Sequence, residues 1–211
     1  MELIDTLAEE MLGVRLKLLQ AKNDRHLKSL IVTGADHDEG VTSVASSLAI
    51  ALARDQQSVL LADANIRQPG LHSLFGLPRE VGFVDFISGK ANLDMVVKKT
   101  SYPKLKVITS GVPPEDNTVT AYFSVSGEIK KSVEANFDWV VYDSAPANSF
   151  PDTLLTVALR DGALLVVRSE KTRWQSVKKA KENLESMGTN ILGIILNRHK
   201  HIIPRFIYDR L

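Results

Sequence analysis

Lys28-Ser-Leu-Ile-Val-Thr-Gly34-Ala-Asp-His-Asp-Glu-Gly40-Val-Thr-Ser43 decides the fold, because three kinds of pattern follow one another in it. Lys28 to Thr33 is a short apolar run feeding a glycine, the form of a buried strand. The segment to Gly40 is acidic and turn-rich. From Thr42 to Arg54, Val44, Ala45, Leu48, Ala49 and Leu52 share one face, which predicts a helix packed on a sheet. Working outward, Ser58–Ala62, Leu105–Thr109, Trp139–Tyr142, Ala163–Val167 and Ile191–Leu196 are further apolar runs. A helical pattern from Arg173 to Met187 separates the last two, and another covers Leu3 to Gln20. Strands that are apolar throughout are covered on both faces. The expectation is an α/β three-layer sandwich with a mostly parallel central sheet, a single domain over residues 1–211.

Composition narrows the function. The 211 residues carry a net charge of +1, so the chain as a whole is no nucleic-acid or membrane binder by charge. There is no cysteine, which removes disulfides and thiolate metal sites and fits a reducing compartment. The acidic start Met1-Glu-Leu-Ile-Asp-Thr6 does not read as a signal peptide. No apolar run approaches the roughly 20 residues that a membrane-spanning helix requires. Trp139 and Trp174 read as packing residues, and Gly111–Asn117 as the best candidate for a mobile loop.

In an open parallel sheet, ligands gather at the carboxyl ends of the strands. The loop after the first strand approaches the P-loop pattern G-x-x-x-x-G-K-[ST], whose amides cradle phosphate, whose lysine reaches the β and γ oxygens, and whose hydroxyl holds Mg²⁺. Gly40 and Thr42 match, with Ser43 following. Gly34 lies one residue upstream of the first glycine position, which Ala35 holds. Val41 stands where the lysine belongs, and Asp36, Asp38 and Glu39 add negative charge. Like charges a few ångströms apart repel by roughly 1 kcal/mol in water and by several when partly buried. The helix N-terminus offers an anion about 2 kcal/mol at most. Such a loop is hostile to a triphosphate. Two further strand ends carry carboxylates, Asp63 in Leu60-Leu-Ala-Asp-Ala-Asn-Ile-Arg67 and Asp143 in Val140-Val-Tyr-Asp-Ser-Ala-Pro146. Carboxylates at such positions can orient a water or a Mg²⁺.

Together these segments closely resemble the cytoplasmic kinase domain of bacterial tyrosine kinases of the capsule and exopolysaccharide type, within the MinD/ParA-like P-loop group. The resemblance runs from Lys28 to Arg198. Val59-Leu-Leu-Ala-Asp63 with Arg67 and Pro69, Leu71-His-Ser-Leu-Phe-Gly-Leu77, Gly82-Phe-Val-Asp85, Asp143-Ser-Ala-Pro146, Asp161-Gly-Ala-Leu-Leu-Val-Val-Arg168 and Leu192-Gly-Ile-Ile-Leu-Asn-Arg198 carry it. It implies ATP or ADP with Mg²⁺, with Thr42, Asp63 and Asp143 on the metal side and Asn197 near the adenine. Asp63 would be the catalytic residue of an active enzyme. It also implies ring assembly, a membrane adaptor or chain-length regulator of polysaccharide export as partner, and a cytoplasmic protein held at the inner face of the membrane through that partner.

The departures point the other way. Val41 replaces the lysine, Asp38 a loop glycine and Asn65 the second aspartate of the motif around Asp63. In the ring-forming pattern E-x-x-R-x-x-R, Glu9 and Arg15 fit while Leu12 takes the middle position. No tyrosine cluster follows, Tyr208 standing alone. Phosphoryl transfer rests on positioning and charge neutralisation, and these losses strike at both, which implies a pseudoenzyme of the pathway. A working tyrosine autokinase or ATPase, with Arg67 or Lys171 in the lysine's place, is the alternative. A MinD/ParA-like positioning protein is the second. Residues 198–211 mix basic and bulky apolar side chains, suiting an anionic membrane surface, a partner groove or packing back on the domain. His199 and His201 make a poor metal pair, and no groove-reading motif supports nucleic-acid binding.

Overall fold

A computed structural model describes residues 2–25, 27–112, 126–149 and 161–199. In chain order the elements are α1 (Glu2–Glu10), α2 (Leu12–Arg25), β1 (Ser29–Gly34), α3 (Val41–Arg54), β2 (Val59–Asp63), α4 (Leu71–Phe75), α5 (Phe83–Ile87) and α6 (Leu93–Val96). They continue with β3 (Lys98–Lys99), β4 (Leu105–Ile108), α7 (Ser126–Asn136), β5 (Trp139–Asp143), β6 (Gly162–Arg168), α8 (Trp174–Ser186) and β7 (Ile191–Asn197). The sheet has seven strands in the order β3-β4-β2-β5-β1-β6-β7. Every pairing is parallel except β3 with β4. The expected α/β sandwich with a mostly parallel sheet is therefore present.

Alternation along β1 shows why its run is apolar throughout. Leu30 and Val32 pack on one face with Leu48 and Leu52 of α3 and with Ile4, Ala8, Met11 and Leu18 of α1 and α2. Ile31 packs on the other with Phe83 of α5, Val133 of α7 and Val177, Ala180 and Leu184 of α8. Both faces of the strand are dry, so no polar position survives in its middle. The helix α3 is buried from Val44 to Ala53; its small residues let it lie close against the sheet.

The amino ends of the central strands are fastened by carboxylates. Asp161 Oδ2 accepts from the amides of Lys28 and Ser29 at 2.7 and 2.8 Å, and Oδ1 accepts from Lys130 Nζ at 2.6 Å. Burial pushes the Asp161 carboxyl up, but the Lys130 ammonium and these amides more than offset it and hold it below its ordinary value. Asp138 Oδ2 accepts in the same way from the amide and hydroxyl of Ser58.

Two expectations need correction, and one strand was not anticipated. The helix predicted over Leu3–Gln20 is two helices meeting at Met11, with Leu12 and Leu16 about half exposed on the second. The edge strand β3 carries no apolar signal; it is held by Lys98 Nζ donating to Val81 O and Thr109 Oγ1, both at 2.6 Å. Trp139 is fully buried as expected, but Trp174 is 71% exposed at the head of α8. The loop expected over Gly111–Asn117 lies beyond Val112 outside the described residues, as do His201 and Tyr208.

Candidate functional site

The carboxyl ends of β1, β2 and β5 converge, since Asp143 pairs in register with Asp63 on one side and with Val32 on the other. The loop between β1 and α3 therefore arches over two carboxylates. Gly40 turns the chain into α3 in the left-handed region, at φ 83°. A Cβ on Gly40 would sit 2.3 Å from Asn197 Nδ2, so glycine is required there for space as well as for conformation. The first bond of α3 runs from Val44 N to Gly40 O, which leaves the preceding amides of the helix head without an intrahelical acceptor.

Glu39 does not face this opening. It is 2% exposed, with Oε1 accepting from Thr172 Oγ1 at 2.5 Å and Oε2 from Asp36 N at 3.1 Å. Burial pushes its carboxyl up, and the Thr172 hydroxyl and the Asp36 and Ala35 amides offset this in part. A Cβ on Gly34 would lie 2.4 Å from Oε2. The upstream glycine thus makes room for the inward-turned glutamate. Of the carboxylates expected to repel an anion, Asp36 is half-buried and Asp38 exposed, while Glu39 is spent on the loop's own architecture. Asn197, at the end of β7, donates from Nδ2 to Glu39 O at 2.7 Å, so it braces the phosphate loop.

Beneath the loop, Asp63 and Asp143 are both fully buried. Asp63 Oδ2 accepts from the amides of Gly70 and Leu71, each at 3.1 Å, while its Oδ1 meets no partner. Burial pushes the Asp63 carboxyl up to about 7; the amides of Leu71, Gly70 and Asn65 and the Arg79 guanidinium hold it back from going further. Asp143 is raised well above the ordinary carboxylate range by burial and by Asp63 beside it. The Thr42 hydroxyl offsets this slightly, but neither oxygen of Asp143 gains a well-formed hydrogen bond, and the buried Ser144 hydroxyl is also unpartnered.

Buried carboxylate oxygens without partners are costly unless a cation meets them. Two aspartates and a threonine hydroxyl are hard oxygen donors of the kind that Mg²⁺ takes, so this side of the site fits a divalent cation. The phosphate side fits less well. The cavity over the loop, about 230 Å³, is bounded by Asp36 to Thr42, by Asn65, Gln68, Ser144 and Pro146, and by Arg198. No lysine lines it. Arg67 and Lys171, the donors weighed from sequence, are exposed and lie outside its lining. Ser144 and Arg198 were not singled out as site residues from sequence, although both fall inside the segments that carried the resemblance.

The remaining sequence candidates, Glu9 and Arg15, do not line this cavity. Glu9 is exposed near the end of α1. Arg15, on α2, reaches Asp55 Oδ1 at 3.9 Å within the same chain. Among the described residues no helix is long and apolar enough to cross a membrane.

Fold and site define a P-loop-type α/β protein that keeps Asp63, Asp143 and Thr42 beneath the loop, with Val41 where the pattern has its lysine and Asn65 in place of a second aspartate. Comparison with known proteins makes the assignment narrower. The chain is 31% identical over 193 residues to the tyrosine-protein kinase YwqD of Bacillus subtilis, spanning 92% of this chain and 81% of that protein. It is 33% identical over 175 residues to the tyrosine-protein kinase CpsD of Streptococcus agalactiae, spanning 81% and 75%. It superposes on the kinase domain of the Escherichia coli tyrosine kinase ETK with a TM-score of 0.83 at 26% identity, covering 93% of this chain and 79% of that one. No family model matches. The chain belongs to the bacterial tyrosine-protein kinase family of YwqD and CpsD.

Proposed function

We propose that this chain is a non-catalytic or weakly nucleotide-binding member of its family, acting as a regulator or scaffold in exopolysaccharide assembly and export. One observation carries the reading: Val41 heads α3 where a lysine would meet the β and γ phosphates, and among the described residues no lysine lines the cavity. A triphosphate here would face the half-buried Asp36 and exposed Asp38, with Arg198 on the rim and helix-head amides worth about 2 kcal/mol at most in compensation. Asp63, Asp143 and Thr42 would hold a Mg²⁺, which would neutralise the pair and supply positive charge against a phosphate. Its partner would be a membrane adaptor or chain-length regulator, as the family resemblance implies.

Isothermal titration with Mg-ATP tests the reading. Binding weaker than about 100 μM, tightened tenfold or more by Val41→Lys, is expected. Micromolar affinity in the unaltered chain would sink it.

A second reading, a working protein-tyrosine kinase, is favoured by the unpartnered oxygens of Asp63 and Asp143 beside Thr42, a ready cation site. Transfer of labelled phosphate from ATP to a tyrosine substrate, abolished by Asp63→Ala, would establish it in place of the first.

A further inference from the structure

We propose that Arg198 is the cation of the phosphate cavity, taking from the end of β7 the part that a lysine at Val41 would play from the head of α3. The inference rests on the reading of a weak nucleotide site and names the group through which that site works.

Among the described residues, Arg198 is the one that lines the cavity with a permanent positive charge. Its backbone is fixed to the loop it would serve. The Arg198 amide donates to Asn197 Oδ1 at 2.9 Å, and Asn197 Nδ2 donates in turn to Glu39 O at 2.7 Å. Ser169 N holds the Asn197 carbonyl at 2.9 Å from the neighbouring strand end. A single asparagine therefore ties the root of Arg198 to the phosphate loop.

The backbone of Arg198 lies in the left-handed region at φ 55°. A non-glycine residue rarely adopts it without a local constraint, and here the Asn197 side chain supplies one. The Arg198 residue is exposed, and no ion pair holds its guanidinium among the described residues. The charge is anchored at its base and able to swing at its tip.

Guanidinium suits this duty. Its paired N–H groups match two phosphate oxygens, whereas an ammonium acts as a point charge. Rooted at the end of β7, it lines the same cavity as Gly40, Val41 and Thr42 at the head of α3. The ligand class that follows is a nucleoside di- or triphosphate with its divalent cation. The phosphates would lie between Arg198 and the helix head, and the cation over Asp63 and Asp143. Asp36 and Asp38 on the same rim oppose the anion, so one arginine makes the site usable but not tight.

Titration calorimetry with Mg-ADP, pyrophosphate with Mg²⁺, and adenosine tests the assignment in the full chain. Arg198→Ala should weaken Mg-ADP and pyrophosphate about tenfold or more, and leave adenosine within about twofold. Arg198→Lys should recover part of the loss. Lys178→Ala on α8, which removes an equal charge away from the cavity, should change nothing. Thermal unfolding of each variant, expected within a degree or two of the parent, separates lost binding from lost structure.

Arg198→Ala binding Mg-ADP as the parent does would overturn the inference. So would a parent chain that takes up no Mg-ADP at millimolar concentration, a result that leaves the scaffold reading standing. Micromolar binding indifferent to Arg198→Ala would overturn both.

Discussion

At Asp63 and Asp143 the chain keeps two carboxylates side by side, fully buried, with three of their four oxygens unpartnered. Such a pair is a standing cost to the fold unless a cation or a proton relieves it. Asp63 at about 7 instead of its ordinary 3.8, at about 1.4 kcal/mol per pH unit, corresponds to a penalty of order 4 kcal/mol in alkaline solution. Asp63→Asn keeps an acceptor for the Gly70 and Leu71 amides and supplies a donor toward Asp143. In metal-free buffer at pH 8 it should stabilise the chain by about 1–3 kcal/mol, read from urea unfolding midpoints. A destabilised variant would mean that the pair is relieved in some other way. Gly34 makes a second case at this scale. With Glu39 Oε2 only 2.4 Å from the site of a Cβ, Gly34→Ala must push the glutamate out of its bonds to Thr172 and Asp36. The expected loss is about 1–3 kcal/mol in the same assay, and Glu39→Ala in the same chain should make the two losses less than additive.

Among the elements, legibility followed the physics that each one obeys. The strands β1, β2 and β5 are dry on both faces, so their sequences had no choice but to be apolar and could be read as such. Gly40 and Thr42 announced the loop because the turn into α3 tolerates few alternatives. By contrast, β3 is two lysines held by the Lys98 ammonium and by β4, and nothing local marks it. The break at Met11 was hidden because Ile4, Ala8, Met11 and Leu18 keep one buried stripe through it. The direction of Glu39 depends on Thr172, far along the chain, and long-range pairings of that kind leave no spacing to detect. The same is true of Asp161, whose acceptors fasten β1 and α7. Asp161→Ala should cost about 2–4 kcal/mol, since it orphans two backbone amides and leaves the Lys130 ammonium to Glu134, 3.7 Å away. Native-state hydrogen exchange should show the loss first at the amides of Lys28 and Ser29; exchange there as slow as in the parent would refute the assignment.

For the whole molecule, the two kinds of carboxylate set a pH profile. Asp63 and Asp143 hold their protons in the native state to higher pH than in the unfolded chain, because burial and mutual repulsion disfavour their charge. Between the ordinary carboxyl range and about 7 the native state therefore binds more protons, and stability falls as pH rises through that window. Asp138 and Asp161 act with the opposite sign. Hydrogen bonds from Ser58 hold Asp138 below its ordinary value, as Lys130 and the amides of Lys28 and Ser29 do for Asp161. Their contribution is present above the ordinary value and is lost as pH falls through their lowered ones. A net charge of only +1 adds little general repulsion to blur the two trends. Stability without metal should thus peak at roughly pH 4 to 5 and decline toward pH 8. Mg²⁺ binds the ionised pair, so millimolar Mg²⁺ should raise the unfolding temperature at pH 8 and leave it nearly unchanged at pH 5. Asp63→Asn combined with Asp143→Asn should flatten the decline and abolish the Mg²⁺ effect. Differential scanning calorimetry at the two pH values, with and without Mg²⁺, decides the matter: a parent chain that melts higher at pH 8 than at pH 5 in metal-free buffer would show that the buried pair does not govern the profile.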